Sequence, residues 1–247
     1  SDLRRQRQMC IRDSGRFDDL SVVTKHIGKQ KLSGFLFDLG VSSYQLDNPH
    51  RGFSFRNDGP LDMRMNPESQ ITAGKYVNDS SEQELASLLY NYGDERYSKR
   101  IAKAIVSMRP IASTKELANI ISDAMPARSR RSSGHPARRS FQALRIAVNC
   151  EIEILESSIR ESIQMLKVGG RGVVLSYHSG EDRIVKRVLR ELAGLDTSNS
   201  KYHPEVRHEK EILLLARKAQ RASSDEISRN PRASSALLRK FEKVSEL

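Results

Sequence analysis

The 247-residue chain has no tryptophan, only two cysteines and no apolar run long enough to cross a bilayer. Cys10 and Cys150 form no CxxC, so neither a disulfide framework nor a zinc-ligand spacing is available. The expected compartment is a reducing one, the cytoplasm, and no secretory pattern is visible. Acidic residues are also short: 31 Asp and Glu stand against 42 Lys and Arg, for a formal net charge of +11. That excess favours a polyanionic partner, and nucleic acid is the commonest one. Hydrophobic residues make up 37%, enough for a core, so global disorder is excluded.

Several chemical motifs are missing too. There is no GxGxxG and no GxxxxGK[ST], so no phosphate-cradling loop is present. There is no GxSxG elbow and no HExxH. The stretch SYHSGED at 176–182 crowds Ser, His, Glu and Asp together, but neighbours one or two apart cannot all converge on one atom as a triad must. A metal site of His178, Glu181 and Asp182 matches no ligand spacing, and no metal is expected. Glu181 and Asp182 read better as first-turn acids of a capped helix with Ile184, Val185, Val188 and Leu189 on its apolar stripe.

What is present has the order of an α/β protein. GFLFD at 34–38 reads as a buried strand ending in a carboxylate. Residues 47–67 form a long ordered loop, because Phe53, Phe55, Leu61, Met63 and Met65 need somewhere to pack. Ser81-x-x-Glu84 and Ser113-x-x-Glu116 open helices, and Pro110 ends the one between them. The stretch 126–140, PARSRRSSGHPARRS, holds five arginines and no acid. It reads as a flexible basic segment, either a solvated linker or, the preferred reading, a phosphate contact through Arg128, Arg130, Arg131, Arg138 and Arg139. Apolar spacing then predicts one long helix from Phe141 through Lys167, stopped by Gly169-Gly170. RGVVLS (171–176) is a second buried strand and EILLLAR (211–217) a third, while NPRASSALLRKFEKV adds a short helix or an edge strand. This order describes an open sheet interrupted by a helical insertion. Ligands of such sheets bind beyond the carboxyl ends of the strands, where Asp38 and His178 both sit.

The stretches DLGVSS, RGFSF, GPLDMRM, YGDERYSKRIAKAI, HPARRSFQALRIAVN, SYHSGEDRIVK and NPRASSALLR, running from about Gly15 to Leu238, are improbable together by chance. They resemble the bacterial 16S rRNA (cytosine-N4) methyltransferases of the RsmH (MraW) family. The resemblance implies a Rossmann-like class I methyltransferase that uses S-adenosyl-L-methionine. Its substrate would be a cytosine in the decoding region of 16S rRNA or of the small ribosomal subunit. The family pattern is departed from at Tyr44, Arg138 and Gly180.

The resemblance also divides the chain. Residues 15–45 and 139–247 would form the methyltransferase domain, and 46–138 an inserted helical substrate-binding domain with the basic loop 126–140. The family's first strand, its glycine-rich turn and the acid that follows have no counterpart here. Met9-Cys10-Ile11-Arg12-Asp13 can be back-translated to the end of a transposase sequencing adapter. Residues 1–14 are therefore expected to be non-native or disordered, and the chain a truncated, weakly active or inactive member. The alternative is a non-catalytic nucleic-acid-binding module; DNA as the substrate is a weaker one.

By matching motif, Phe17, Asp38 and Gln45 would contact the cofactor, with Phe17 near the adenine. Asp38 has a second reading, as acceptor for the target amine. His178 and Ser179 would line the cytosine pocket or merely shape its loop. Phe53, Phe55 and Met63 are candidate walls for a flipped base, in competition with core packing.

Overall fold

The computed structural model describes residues 31–130, 134–195 and 210–246, together with Leu20, Lys25 and Gly28. The segment 1–14 and Phe17 and Arg131 lie outside these residues. Two compact units divide the chain: Ser1–Asp38 with Ile154–Leu247, and Leu39–Glu153.

The first unit is built on a mixed five-stranded sheet. Strands β1 (Leu32–Asp38), β2 (Leu166–Ser176), β3 (Ile212–Leu214), β4 (Gln220–Arg221) and β5 (Leu237–Lys243) take the order β1-β2-β5-β3, and β4 also pairs with β5. β1 and β2 are parallel, with Asp38 opposite Leu175; β5 runs antiparallel to β2, with Leu238 opposite Leu175. Val174, Phe241 and Ile212 are buried in the sheet.

Gly172 sits between Phe35 of β1 and Phe241 of β5 in the pairing register. A Cβ there would come within 2.3 Å of the Phe241 ring, so only glycine lets that ring lie flat across the strand. Phe241 also meets Phe35 edge-on at 5.8 Å.

Strand β1 differs from the buried strand that its apolar run predicts. Among the described residues its one neighbour is β2, and Leu36 is 62% exposed while Phe35 and Phe37 are half-buried. A strand paired along one edge lies at the margin of the layers that would cover its faces.

The second unit is helical. It contains α1 (Ser43–Asp47), α2 (Ala73–Asp79), α3 (Glu82–Gly93), α4 (Ser98–Ser107), α5 (Thr114–Ala124), α6 (Ala127–Arg130) and α7 (Arg138–Asn149). The capping box of Ser81 and Glu84 forms as the sequence predicts: each side chain takes the other's backbone N–H. Leu85, Leu89, Ile101, Ile105, Leu117, Ile121 and Leu144 form a fully buried core. Phe53, Leu61 and Met63 of the long loop are buried in that same core. Arg64 ties the loop together by forking onto Asp62 and donating to the carbonyls of Pro67 and Ser69. That guanidinium holds the Asp62 carboxyl below the usual carboxylate range.

The single helix expected from 141 to 167 is two helices, α7 and α8 (Glu151–Met165), separated by Cys150 with φ of 51°. Asn149 explains the break. Its amide donates to the Met63 carbonyl and accepts from the Met65 N–H at 2.7 Å, pinning the loop. Arg145 bridges the break by forking onto Glu151 at 2.9 and 2.8 Å. Periodicity cannot register such a tertiary demand, because the apolar stripe continues past it.

Gly169-Gly170 is not the helix stop that was expected. Both lie within β2, where the register against β1 slips between Leu32 and Gly34, and Gly169 adopts φ of 81°. The pair forms an irregularity in the strand, and glycine relieves its backbone strain. The C-terminal NPRASSALLRKFEKV also differs. Pro231–Ser235 within it forms a short 3-10 helix, as expected, but β5 is an interior strand flanked by β2 and β3, not an edge. Its charged residues hide this. Buried Lys243 donates to the carbonyls of Gln164 and Leu166 beside the C-terminal end of α8, where a cation is favoured. The third strand is shorter than predicted, Ile212–Leu214.

Candidate active site

Asp38 closes β1 at its carboxyl end, and its side chain is exposed. Parallel pairing puts Leu175 opposite Asp38, so Tyr177 follows just beyond that end. The Tyr177 hydroxyl donates to Asp38 Oδ1 at 2.7 Å. Tyr177 is half-buried, and burial, together with the bond to Asp38, pushes its phenol up to about 12. The phenol therefore remains a donor, and Asp38 presents an oriented carboxylate to solvent. Such a group accepts hydrogen bonds from ligand hydroxyls or ammonium groups.

The backbone of Tyr177 is fixed as well. Its N–H donates to Glu181 Oε2 at 2.8 Å, and Glu181 is buried. His178 is the N-cap of α9 (Ser179–Leu192): its Nδ1 accepts from the Glu181 N–H at 3.4 Å. His178 Nε2 lies 3.2 Å from Glu181 Oε1. The His178 ring is thus turned onto its own helix turn, and Ser179 is the exposed first residue of α9. Asp182 forks with Arg239 of β5 at 2.8 and 3.0 Å, fastening α9 to the sheet. The capped-helix reading of Glu181 and Asp182 matches this geometry.

Gln45 belongs to α1 in the second unit. Its Oε1 accepts from the Ser42 N–H at 2.9 Å, closing a capping box. Its carbonyl oxygen is committed locally. Of the arginines in the basic stretch, Arg139 donates to the Asp94 carbonyl at the end of α3, and Arg130 lies 3.7 Å from Asp123. Arg128 and Arg138 are exposed and have no ion-pair partner among the described residues.

Two features were not assigned from the sequence. Tyr177 is one; a tyrosine next to a strand end carries no signal until the register puts it beside Asp38. The other is a cleft in the first unit lined by Lys186, Arg190, Arg217 and Lys240, and by Arg239, which is already paired with Asp182. These cations come from α9, from β5 and from the segment after β3, so no local charge run announces them. The cleft lies against β5 close to the end of the sheet that carries Asp38, since Leu238, Leu175 and Asp38 are in register.

No helix among the described residues is long and apolar enough to cross a membrane. The family model of the MraW methylase family matches residues 3–244. A protein of Halothermothrix orenii called ribosomal RNA small subunit methyltransferase H is 46% identical over 233 residues, covering 92% of this chain and 75% of that protein. Proteins of the same name from Mycobacterium sp. (strain KMS) and Thermobifida fusca are each 46% identical over 233 residues, covering 93% of this chain and 62% and 71% of their own lengths. A match of this extent shows that the chain belongs to the MraW methylase family, a family of methyltransferases.

Proposed function

We propose that this chain takes part in S-adenosyl-L-methionine-dependent methylation of a cytosine N4 in small-subunit ribosomal RNA. The observation that carries this is Asp38: the acid of DLGVSS, exposed at the carboxyl end of a parallel strand and oriented by Tyr177. The chemistry of the Asp38 carboxylate, a hydrogen-bond acceptor, supports this reading. The cofactor presents ribose hydroxyls and an ammonium group, and an exposed carboxylate with one oxygen already fixed is an acceptor suited to either. When bound, the cofactor supplies a methyl group on a sulfonium.

What the chain's own residues do follows from their chemistry. Asp38 accepts hydrogen bonds and places negative charge at the strand end. Tyr177 holds the Asp38 carboxylate in one orientation, which reduces the freedom lost on binding. Gln45 and Phe17 are proposed as further cofactor contacts on the strength of the motifs that carry them. The turn 176–182 keeps Tyr177 in place through Glu181 and His178. Cytosine N4 is a weak nucleophile, so alignment and an acceptor for its proton are what the protein must supply. Asp38 is proposed chiefly as a cofactor contact, with acceptance from the amine as its second role. Arg128 and Arg138, and the cationic cleft against β5, are proposed to hold RNA phosphates.

The test is methyl transfer from labelled S-adenosyl-L-methionine to small-subunit RNA, with Asp38→Ala beside the unsubstituted chain. The expected loss is at least about tenfold in kcat/KM, the scale of one charged hydrogen bond removed. RNA binding without any transfer would instead support a non-catalytic nucleic-acid-binding module. Transfer that Asp38→Ala leaves unchanged removes Asp38 from the site.

A further inference from the structure

Three rings in the helical unit form a ladder from the core to the surface. Phe141 of α7 is 3% exposed and belongs to the core. Phe55, from the long loop, meets Phe141 nearly perpendicularly at 5.6 Å. His135, from the basic stretch, stacks on Phe55 at 4.4 Å with the two rings only 19° from parallel. Of the three apolar side chains considered as walls for a base, Phe53 and Met63 are consumed by the core, whereas Phe55 is half-buried and carries this stack.

His135 is exposed although one face lies on Phe55. Its ring is also fixed at one edge, because Nδ1 accepts from the Ala137 N–H at 3.2 Å. Its carbonyl accepts from the Arg138 N–H, opening α7. The result is a flat, oriented ring surface whose outer side is open to solvent. Exposed cations flank it in sequence, Arg128 on one side and Arg138 on the other.

We propose that the outer face of His135 is a stacking subsite for one unpaired base of the RNA, with Arg138 contacting the adjoining phosphate. The inference rests on the reading of the chain as a protein that acts on ribosomal RNA. It adds to that reading a specific nucleotide subsite in the helical unit. Aromatic platforms bind single-stranded nucleic acid because every base has a π-face, and cations beside them track the backbone. A ring already fixed by a stack and a hydrogen bond loses little freedom when a base lands on it.

The experiment measures affinity of the full chain for an unstructured RNA oligonucleotide and for the same backbone with abasic positions, across a range of salt. His135→Ala should weaken binding to the natural oligonucleotide about five- to tenfold, the lower part of the stacking range. His135→Phe should restore it to within about twofold, because any flat ring serves. Neither should alter the dependence on salt, whereas Arg138→Ala should make it shallower by about one ion. On the abasic backbone the His135→Ala loss should vanish. Unchanged affinity in His135→Ala, or an equal loss on the abasic backbone, overturns the subsite and leaves the RNA reading standing. Absence of RNA binding by the unsubstituted chain overturns both.

Discussion

Replacing Tyr177 by Phe removes one oxygen and nothing else. The ring remains, so no cavity opens and the change isolates the hydrogen bond to Asp38 Oδ1, 2.7 Å long. Bonds to charged acceptors contribute roughly 1.5–3 kcal/mol when buried, and water competes at exposed ones. Asp38 is exposed and Tyr177 half-buried, so a cost of about 1 kcal/mol is expected. The pH dependence carries a sign. Burial and the Asp38 bond raise the phenol from 10.0 to about 12 in the folded chain. The folded state therefore holds this proton more tightly than the unfolded state. The associated stabilisation is complete below the unfolded value and is lost as pH rises through the folded one. The stability difference between the unsubstituted chain and Tyr177→Phe should thus be constant around neutrality and shrink between about pH 10 and about pH 12. Urea unfolding of both proteins, of Asp38→Ala and of the double variant measures this directly. In the Asp38→Ala background the tyrosine change should cost nothing. A Tyr177→Phe protein as stable as the parent near neutrality, or one equally destabilised without Asp38, would refute the argument that this bond orients the carboxylate.

A network on α8 and α9 makes a second, oppositely signed pH prediction. Glu156 accepts from both Arg187 and Arg160, and Arg160 also pairs with Glu191 at 2.6 Å; Arg187, then Arg160, holds the Glu156 carboxyl below its ordinary 4.5. A depressed carboxylate stabilises above its unfolded pKa and loses that contribution as pH falls, so Glu156→Gln should cost up to about 1 kcal/mol near neutrality and little in acid, by thermal unfolding. High salt should weaken the neutral-pH effect, and a cost that persists unchanged in acid would show that packing rather than charge is responsible. The cationic cleft predicts a salt effect. Combined Lys186→Ala, Arg217→Ala and Lys240→Ala should flatten the dependence of log affinity for RNA on log salt by about 0.7–0.9 for each phosphate no longer neutralised, and an unaltered slope would remove the cleft from the RNA surface.

The local chemistry of the chain was legible in advance wherever neighbours in sequence decide it. Ser81 and Glu84 form their capping box because the partners are three residues apart. The acids after His178 settle into the first turn of α9 for the same reason. The packing of Phe53, Leu61 and Met63 followed from apolarity alone, since buried area rewards any route into a core. The misreadings all arise where a distant residue intervenes. Asn149 breaks a helix because the Met63 and Met65 backbone, more than eighty positions earlier, needs its amide. Gly169-Gly170 becomes a strand irregularity because β2 must come into register with β1.

Asp38 stood out from the first as a carboxylate at the end of an apolar strand, and its motif tied it to a methyltransferase family. Composition and charge likewise set the expectation of a polyanionic partner, because net charge needs no fold to be counted. Tertiary structure alone decided which partners these residues have. Strand register brings Tyr177 to Asp38 across 139 positions, loop packing brings Phe55 under His135, and the fold gathers separated cations into one cleft. Each of these depends on which segments are adjacent in space, and hydrophobic pattern and local propensity contain no record of that adjacency until the chain has folded.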